Sequence, residues 1–362
     1  MPMHSLARSR LTPLFIPSRK QHVENELSPC LGSAGALSPD LQPNTPPTFP
    51  HAAGQYHTHP QPDDCAPQLL PQATKIGRFL LATPLDVQEH LHLYRAVHLD
   101  TQQQYVCKVI PIERYRQTLA GYWRVGSHEH INEIQEIVVG ETKAYVFFPG
   151  NYGDLHSFVR SKKRLRESQA ISLFEQIVSA VTHCHENGVV LRDLKLRKFV
   201  FKDAERTQLK LEGLEDACIL EDEDDDSLMD KHGCPAYVSP EILDTAHTYS
   251  GKAADSWSLG VMLYTMLAGR YPFHDTDAAI LFSKIRRGHF TLPDNLSSRA
   301  KCLIRGLLRR QPEQRLAAAD ILLHPWFNYK SRAPLPQGKA DKKDIDQTVP
   351  SVALDEGESM FA

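Results

Sequence analysis

Leu191-Arg192-Asp193-Leu194-Lys195-Leu196-Arg197-Lys198 decides how this chain of 362 residues is read. Its one acid is Asp193, and its last residue, Lys198, carries an ammonium that donates hydrogen bonds but cannot ligate a metal ion. Just upstream, Ile171, Phe174, Ile177, Val178 and Val181 recur at the spacing of one helical face, which predicts an amphipathic helix over 167–185. Further upstream, β-like runs at 78–82, 91–98, 105–110, 134–139 and 143–148 predict a small antiparallel sheet, interrupted by a helical region between Ile112 and Trp123. Downstream, helices are predicted over 256–267, 278–287, 298–309 and 317–322. The result is an α+β chain, with a β-rich small lobe over 75–150 and a larger helical lobe over 151–329.

The flanks differ in composition. Residues 1–74 hold 13 of the 25 prolines and few large apolar side chains, too few to offset the entropy of ordering, so a disordered tail is predicted. Its Ser-Pro and Thr-Pro pairs at Thr12, Ser28, Ser38 and Thr45 suit proline-directed phosphorylation, or simply follow from the composition. Residues 330–362 form a second flexible tail rich in Lys, Asp and Pro. A net charge of −3 gives no electrostatic case for nucleic acid or membrane. Seven scattered cysteines without C-x-x-C point to reduced thiols in cytosol or nucleus, not to a disulfide or zinc framework. The longest apolar stretch, 259–268, is interrupted and too short to span a bilayer. The first 20 residues are basic and acid-free, as in a mitochondrial transit peptide, but Pro2, Pro13 and Pro17 oppose the helix that such a peptide needs.

The opening stretch resembles the catalytic loop of protein kinases, H-R-D-L-x-x-x-N, whose Asp accepts the substrate's proton and whose Asn holds magnesium. Arg192, Asp193, Leu194 and Lys195 fit, whereas Leu191 and Lys198 depart from it. Ser239-Pro240-Glu241 stands where kinases have A-P-E, and Arg315 is similar to the arginine that pairs with that Glu. Asp255-Ser256-Trp257-Ser258-Leu259-Gly260 resembles the motif whose Asp braces the catalytic loop. His183-Cys184-His185 is similar to a structural pair found before that loop, and a metal site there has no further ligands nearby. The resemblance implies a bilobal protein-kinase-like fold with a vestigial nucleotide site at Lys108, Asp193, Lys195 and Lys198.

Around that site the sequence departs from the kinase pattern. No acid lies between Glu113 and Glu129, so Lys108 is expected to lack its helix partner. The segment aligned with the glycine-rich phosphate loop, Asp86-Val87-Gln88-Glu89-His90-Leu91, contains no glycine. Leu209-Lys210-Leu211-Glu212 leads into Gly213-Leu214-Glu215 where kinases have D-F-G, and Gly213 offers no carboxylate. Glu212 and Glu215 are expected to face the wrong way to replace it. With both metal ligands lost, normal phosphoryl transfer is not expected. Lys198 then either supports weak ATP binding without magnesium or simply faces solvent at a vacated site.

Several stretches together resemble the Tribbles pseudokinases: Leu191 through Phe199, Gly213-Leu214-Glu215-Asp216, Lys231 through Glu241 and Ser250 through Asp255. The usual Ser-Leu-Glu of that family is Gly-Leu-Glu here. The resemblance, over about residues 76–330, implies a non-catalytic adaptor of nucleus and cytoplasm. Its domain would hold a CCAAT/enhancer-binding transcription factor while its tail recruits a WD40-type ubiquitin ligase of the constitutive-photomorphogenesis type. Asp346, Gln347, Val349 and Pro350, within Asp344-Ile345-Asp346-Gln347-Thr348-Val349-Pro350, resemble the ligase-binding motif. Binding of MAP kinase kinase and Akt is implied as well. Residues 321–327 resemble the segment that contacts MAP kinase kinase, although Trp326 is expected to pack inward. The six acids at 221–226 form a solvated loop or pair with Arg192. A weak or metal-independent Ser/Thr kinase is the alternative.

Overall fold

Alternation along a single strand builds the small lobe. In β5 (Gln104–Pro111), Cys107 and Val109 turn to one face of a sheet and pack with Phe79, Leu81, Ala96, Val138 and Phe147. Lys108 and Ile110 turn to the other face, where Ile110 joins the main core. The period of two thus delivers the one lysine to the cleft side; a one-residue slip would bury it in the wrong cluster.

The computed structural model describes residues 74–87, 91–244 and 247–328, and the backbone of Leu14–Phe15. The tail motif with Asp346, Gln347, Val349 and Pro350, the loop residues 88–90 and most of 1–73 lie outside the described residues. The sheet has the order β1-β6-β7-β5-β4-β3-β2. Its strands are β1 (Leu14–Phe15), β2 (Thr74–Ile76), β3 (Phe79–Val87), β4 (His92–His98), β5, β6 (Glu136–Val139) and β7 (Lys143–Pro149). All the pairings are antiparallel except β1 with β6. Between β5 and β6 the predicted helical region consists of α1 (Tyr115–Thr118) and α2 (Ala120–Val125). Phe79 stacks on Phe147 with ring centroids 3.7 Å apart.

The large lobe begins with α3 (Leu155–Lys162), capped by Asp154, whose carboxylate accepts from Ser157 N at 2.8 Å. The predicted stripe appears in α4 (Glu167–Glu186), where Phe174, Ile177, Val178 and Val181 are fully buried. Short strands follow: β8 (Val189–Val190), β9 (Phe199–Phe201), β10 (Leu209–Leu211), β11 (Cys218–Ile219), β12 (Ser227–Leu228) and β13 (Tyr249–Ser250). Helix α5 (Gly251–Ala268) is buried along nearly its whole length and forms the axis of the lobe. Around it lie α6 (Ala278–Arg287), α7 (Ser298–Leu307) and α8 (Ala318–Ile321). No helix among the described residues is long and apolar enough to cross a membrane. The core runs without a break from Ile110 to Trp326.

Two fastenings use motif residues. Arg315 forks onto Glu241 at 2.5 and 2.7 Å and also donates to Ala253 O and Arg309 O, with its own side chain 1% exposed. Trp326 is fully buried, and its indole N–H donates to Glu167 at 3.0 Å.

Removing one partner of a buried pair strands the other charge, so Glu241→Gln is expected to destabilise by about 3 kcal/mol. Two residues away, the buried Ser239 hydroxyl makes no hydrogen bond to a described residue, so Ser239→Ala should be neutral or stabilising by up to about 1 kcal/mol. Urea denaturation of both variants checks the opposite signs.

Candidate functional site

Asp255, 1% exposed, sets the geometry of the loop that opened the sequence. Its carboxylate accepts the backbone N–H groups of Leu191 at 2.8 Å and Arg192 at 3.0 Å, and His185 Nε2 lies 2.9 Å away. Held in this way, Arg192 takes a left-handed backbone conformation, φ 61°, which non-glycine residues rarely adopt. The neighbouring His183 meets Val125 O, Cys184 is buried, and no group among the described residues could hold a metal ion.

Beyond that turn, Lys195 lies 2.9 Å from Asp193. Lys198 does not face solvent at a vacated site. Its side chain is 16% exposed, and three oxygens surround its ammonium: Asp216 Oδ2 at 2.9 Å, Gly213 O at 3.2 Å and Asp193 Oδ2 at 3.5 Å. Burial disfavours the charge, but Asp216, Asp193 and Glu215 outweigh it and raise the pKa above that of an ordinary lysine. Gly213 makes room for this arrangement. Its φ is 81°, and a Cβ there would lie 2.8 Å from both Cδ and Nζ of Lys198. The departure from Ser to Gly is therefore the seat of the lysine.

Lys108 has no helix acid beside it, as expected, but it does have a partner, and that partner corrects the expected direction of Glu215. Glu215, expected to point away, accepts from its ammonium at 2.6 Å, and both side chains are nearly buried. The reason is Tyr122 on α2. Its hydroxyl accepts from Gly213 N at 3.0 Å and Leu214 N at 3.3 Å, turning the segment after β10 back into the cleft. The same hydroxyl donates to Glu215 at 3.1 Å. Tyr122 thus stands near where a kinase helix would present its Glu, and in the sequence only the aromatic at this helix position marks it. Burial raises the Glu215 pKa, but Lys108 and Lys198 more than reverse this and hold it below the usual carboxylate range. Glu212 turns elsewhere, accepting from Asn132 at 2.7 Å, and burial raises its pKa.

Arg192 does not meet the acidic run. Its guanidinium pairs with Asp230 and donates to Asp216 O. Pairing of β11 with β8 carries residues 221–226 past Gly188, where Glu223 meets Arg124 at 2.6 Å and Asp226 accepts from Ser250 and Lys252 N. The turn back through β12 and β13 then brings Asp230 to the arginine.

A nucleotide triphosphate with magnesium does not fit this donor set. Position 198 holds an ammonium where an oxygen ligand belongs, position 213 has no side chain, and the two cleft lysines are neutralised internally.

These features are those of a kinase-like domain, and residues 92–327 match the protein kinase domain family. Within that superfamily the chain belongs to the Tribbles family. It is 57% identical over 302 residues to Tribbles homolog 2 of Canis lupus familiaris, covering 83% of this chain and 86% of the relative. It is 56% identical over 293 residues to Tribbles homolog 1 of Homo sapiens (80% and 77% covered) and 52% identical over 292 residues to Tribbles homolog 3 of Mus musculus (80% and 80%).

Two predictions follow from the charges and the glycine. The carboxyls of Glu215 and Asp216 sit below their ordinary values of 4.5 and 3.8. The stability they contribute is present above those values and is lost as pH falls from them through the lowered folded-state values, with Glu212, shifted upward, acting in the opposite sense. Glu215→Gln should flatten the acid limb of unfolding free energy against pH. Gly213→Ser should cost about 1–3 kcal/mol, and less in a Lys198→Met background; strict additivity in that thermodynamic cycle would refute the contact.

Proposed function

We propose that this chain is a pseudokinase adaptor: the domain holds a client, a transcription factor of the CCAAT/enhancer-binding class, while the tail recruits a WD40-type ubiquitin ligase through Asp346, Gln347, Val349 and Pro350. The observation carrying the non-catalytic half is the closed cleft. Lys108 is committed to Glu215 and Lys198 to Asp216 and Asp193, so the charges that would bind phosphates and metal are spent on one another. Tethering client and ligase on one chain raises their mutual concentration to roughly the millimolar range for a short flexible connection. The tail motif supports the recruiting half on sequence alone.

Direct contact with MAP kinase kinase or Akt is a compatible second role. In the segment 321–327, Trp326 is buried against Glu167, whereas Leu323 is 76% exposed and supplies the surface for such a contact.

Two measurements on the full chain test this reading. Val349→Ala with Pro350→Ala should abolish client degradation in cells while leaving the thermal midpoint unchanged; unchanged degradation would sink the adaptor. Millimolar ATP with magnesium should produce no magnesium-dependent rise in that midpoint, whereas a ligand at about 100 times its Kd would stabilise by about 2.7 kcal/mol. A magnesium-dependent rise would restore the kinase alternative.

A further inference from the structure

The corner between α3 and α4 carries charge that neither the cleft nor the tail uses. Residues 160–166 read Arg-Ser-Lys-Lys-Arg-Leu-Arg, and Arg160, Lys162, Lys163, Arg164 and Arg166 are all exposed. None of the five has a side-chain hydrogen bond or ion pair with a described residue. The Lys162 ammonium lies 5.9 Å from the Phe158 ring centroid, and Arg206, from the β9–β10 turn, lies 5.7 Å from the same ring and extends the ridge.

Nearby acids are mostly turned away. Glu167 accepts from Ser297 and Trp326, and Asp203 closes its own turn through the N–H groups of Thr207 and Gln208. Glu205, exposed in that turn, offsets one charge only. The acidic run 221–226 sits past the other end of α4, about 30 Å away by helical rise. A chain of net charge −3 thus concentrates unneutralised cations on one corner.

The backbone beneath them is fixed. Leu165 is buried, and its N–H donates to Met266 O at 2.8 Å. Gly269 approaches so closely that a Cβ on it would lie 1.9 Å from the Lys163 carbonyl oxygen. A strip anchored in this way cannot be drawn out as an extended basic peptide, so it acts as part of the fold.

We propose that this ridge docks a carboxylate-rich segment of a partner protein. Three arginines and two lysines on a rigid corner suit an extended acidic chain, with guanidinium forks taking carboxylates two oxygens at a time. No large apolar side chain between residues 155 and 170 is exposed to enter a bilayer or stack on bases, so neither insertion nor stacking adds to the charge here, and the vesicle and DNA arms below separate those partners. The inference is independent of the adaptor reading.

The test measures fluorescence anisotropy of a labelled poly-glutamate peptide with the full chain. Parallel arms use phosphatidylserine-containing vesicles and single-stranded DNA. The fourfold variant Arg160→Gln, Lys162→Gln, Lys163→Gln, Arg164→Gln should bind the peptide at least about tenfold more weakly, and the wild-type affinity should fall steeply with salt. Lys162→Arg with Lys163→Arg, which keeps the charge, should retain binding. Equal peptide affinity in wild type and fourfold variant would overturn the proposal. So would charge-dependent binding of vesicles or DNA without binding of the peptide. Peptide binding only after deletion of residues 330–362 would also overturn it, assigning the ridge to the chain's own tail.

Discussion

The carboxylate of Asp255 is the constraint on which the rest of the cleft depends. A buried charge must be compensated, and here the compensation is two backbone N–H groups and an imidazole, which fix the turn at Leu191 and Arg192. The turn sets where Asp193, Lys195 and Lys198 project. The same left-handed residue reaches with its side chain to Asp216 O and Asp230, fastening the following segment. One acid on the central helix thereby positions both walls of the site.

From that frame the cleft closes by charge balance. A buried ammonium needs oxygen around it. Lys108 finds Glu215, and Lys198 finds Asp216, Asp193 and a carbonyl. Each pair links elements from different parts of the chain, Lys108 from the sheet and Glu215 from the segment after β10. Tyr122 holds that segment by accepting two of its N–H groups. The local chemistry is that of a folded core with ionic parts, in which each group answers to a neighbour on the same chain.

Elements governed by local period were legible in the sequence. The stripe of α4 appears where spacing placed it, because helical geometry fixes which residues share a face, and the β-like run at 105–110 falls within β5. The motif residues Glu241, Asp255 and Arg315 could be located because the stretches that hold them resemble protein-kinase motifs. The cleft pairing was not legible. Glu215 reaches Lys108 only because a tyrosine 93 positions away turns its backbone, and no periodicity encodes that. Likewise the partner of Arg192 depends on how β11 and β12 pair, not on which acids lie nearest in sequence. Charge runs announced themselves, but their partners were set by topology.

Gly213 and Lys198 also constrain how such a cleft can change by single steps. Adding a side chain at 213 while the lysine is present forces Cβ to 2.8 Å from its head, at a backbone angle that already favours glycine. Removing the lysine first leaves Asp193 and Asp216 facing each other without their shared cation. Either change alone therefore disturbs the pairing, so the two positions are coupled in stability. The pair behaves as one unit of the cleft: the missing side chain of one residue is the space that the head of the other fills.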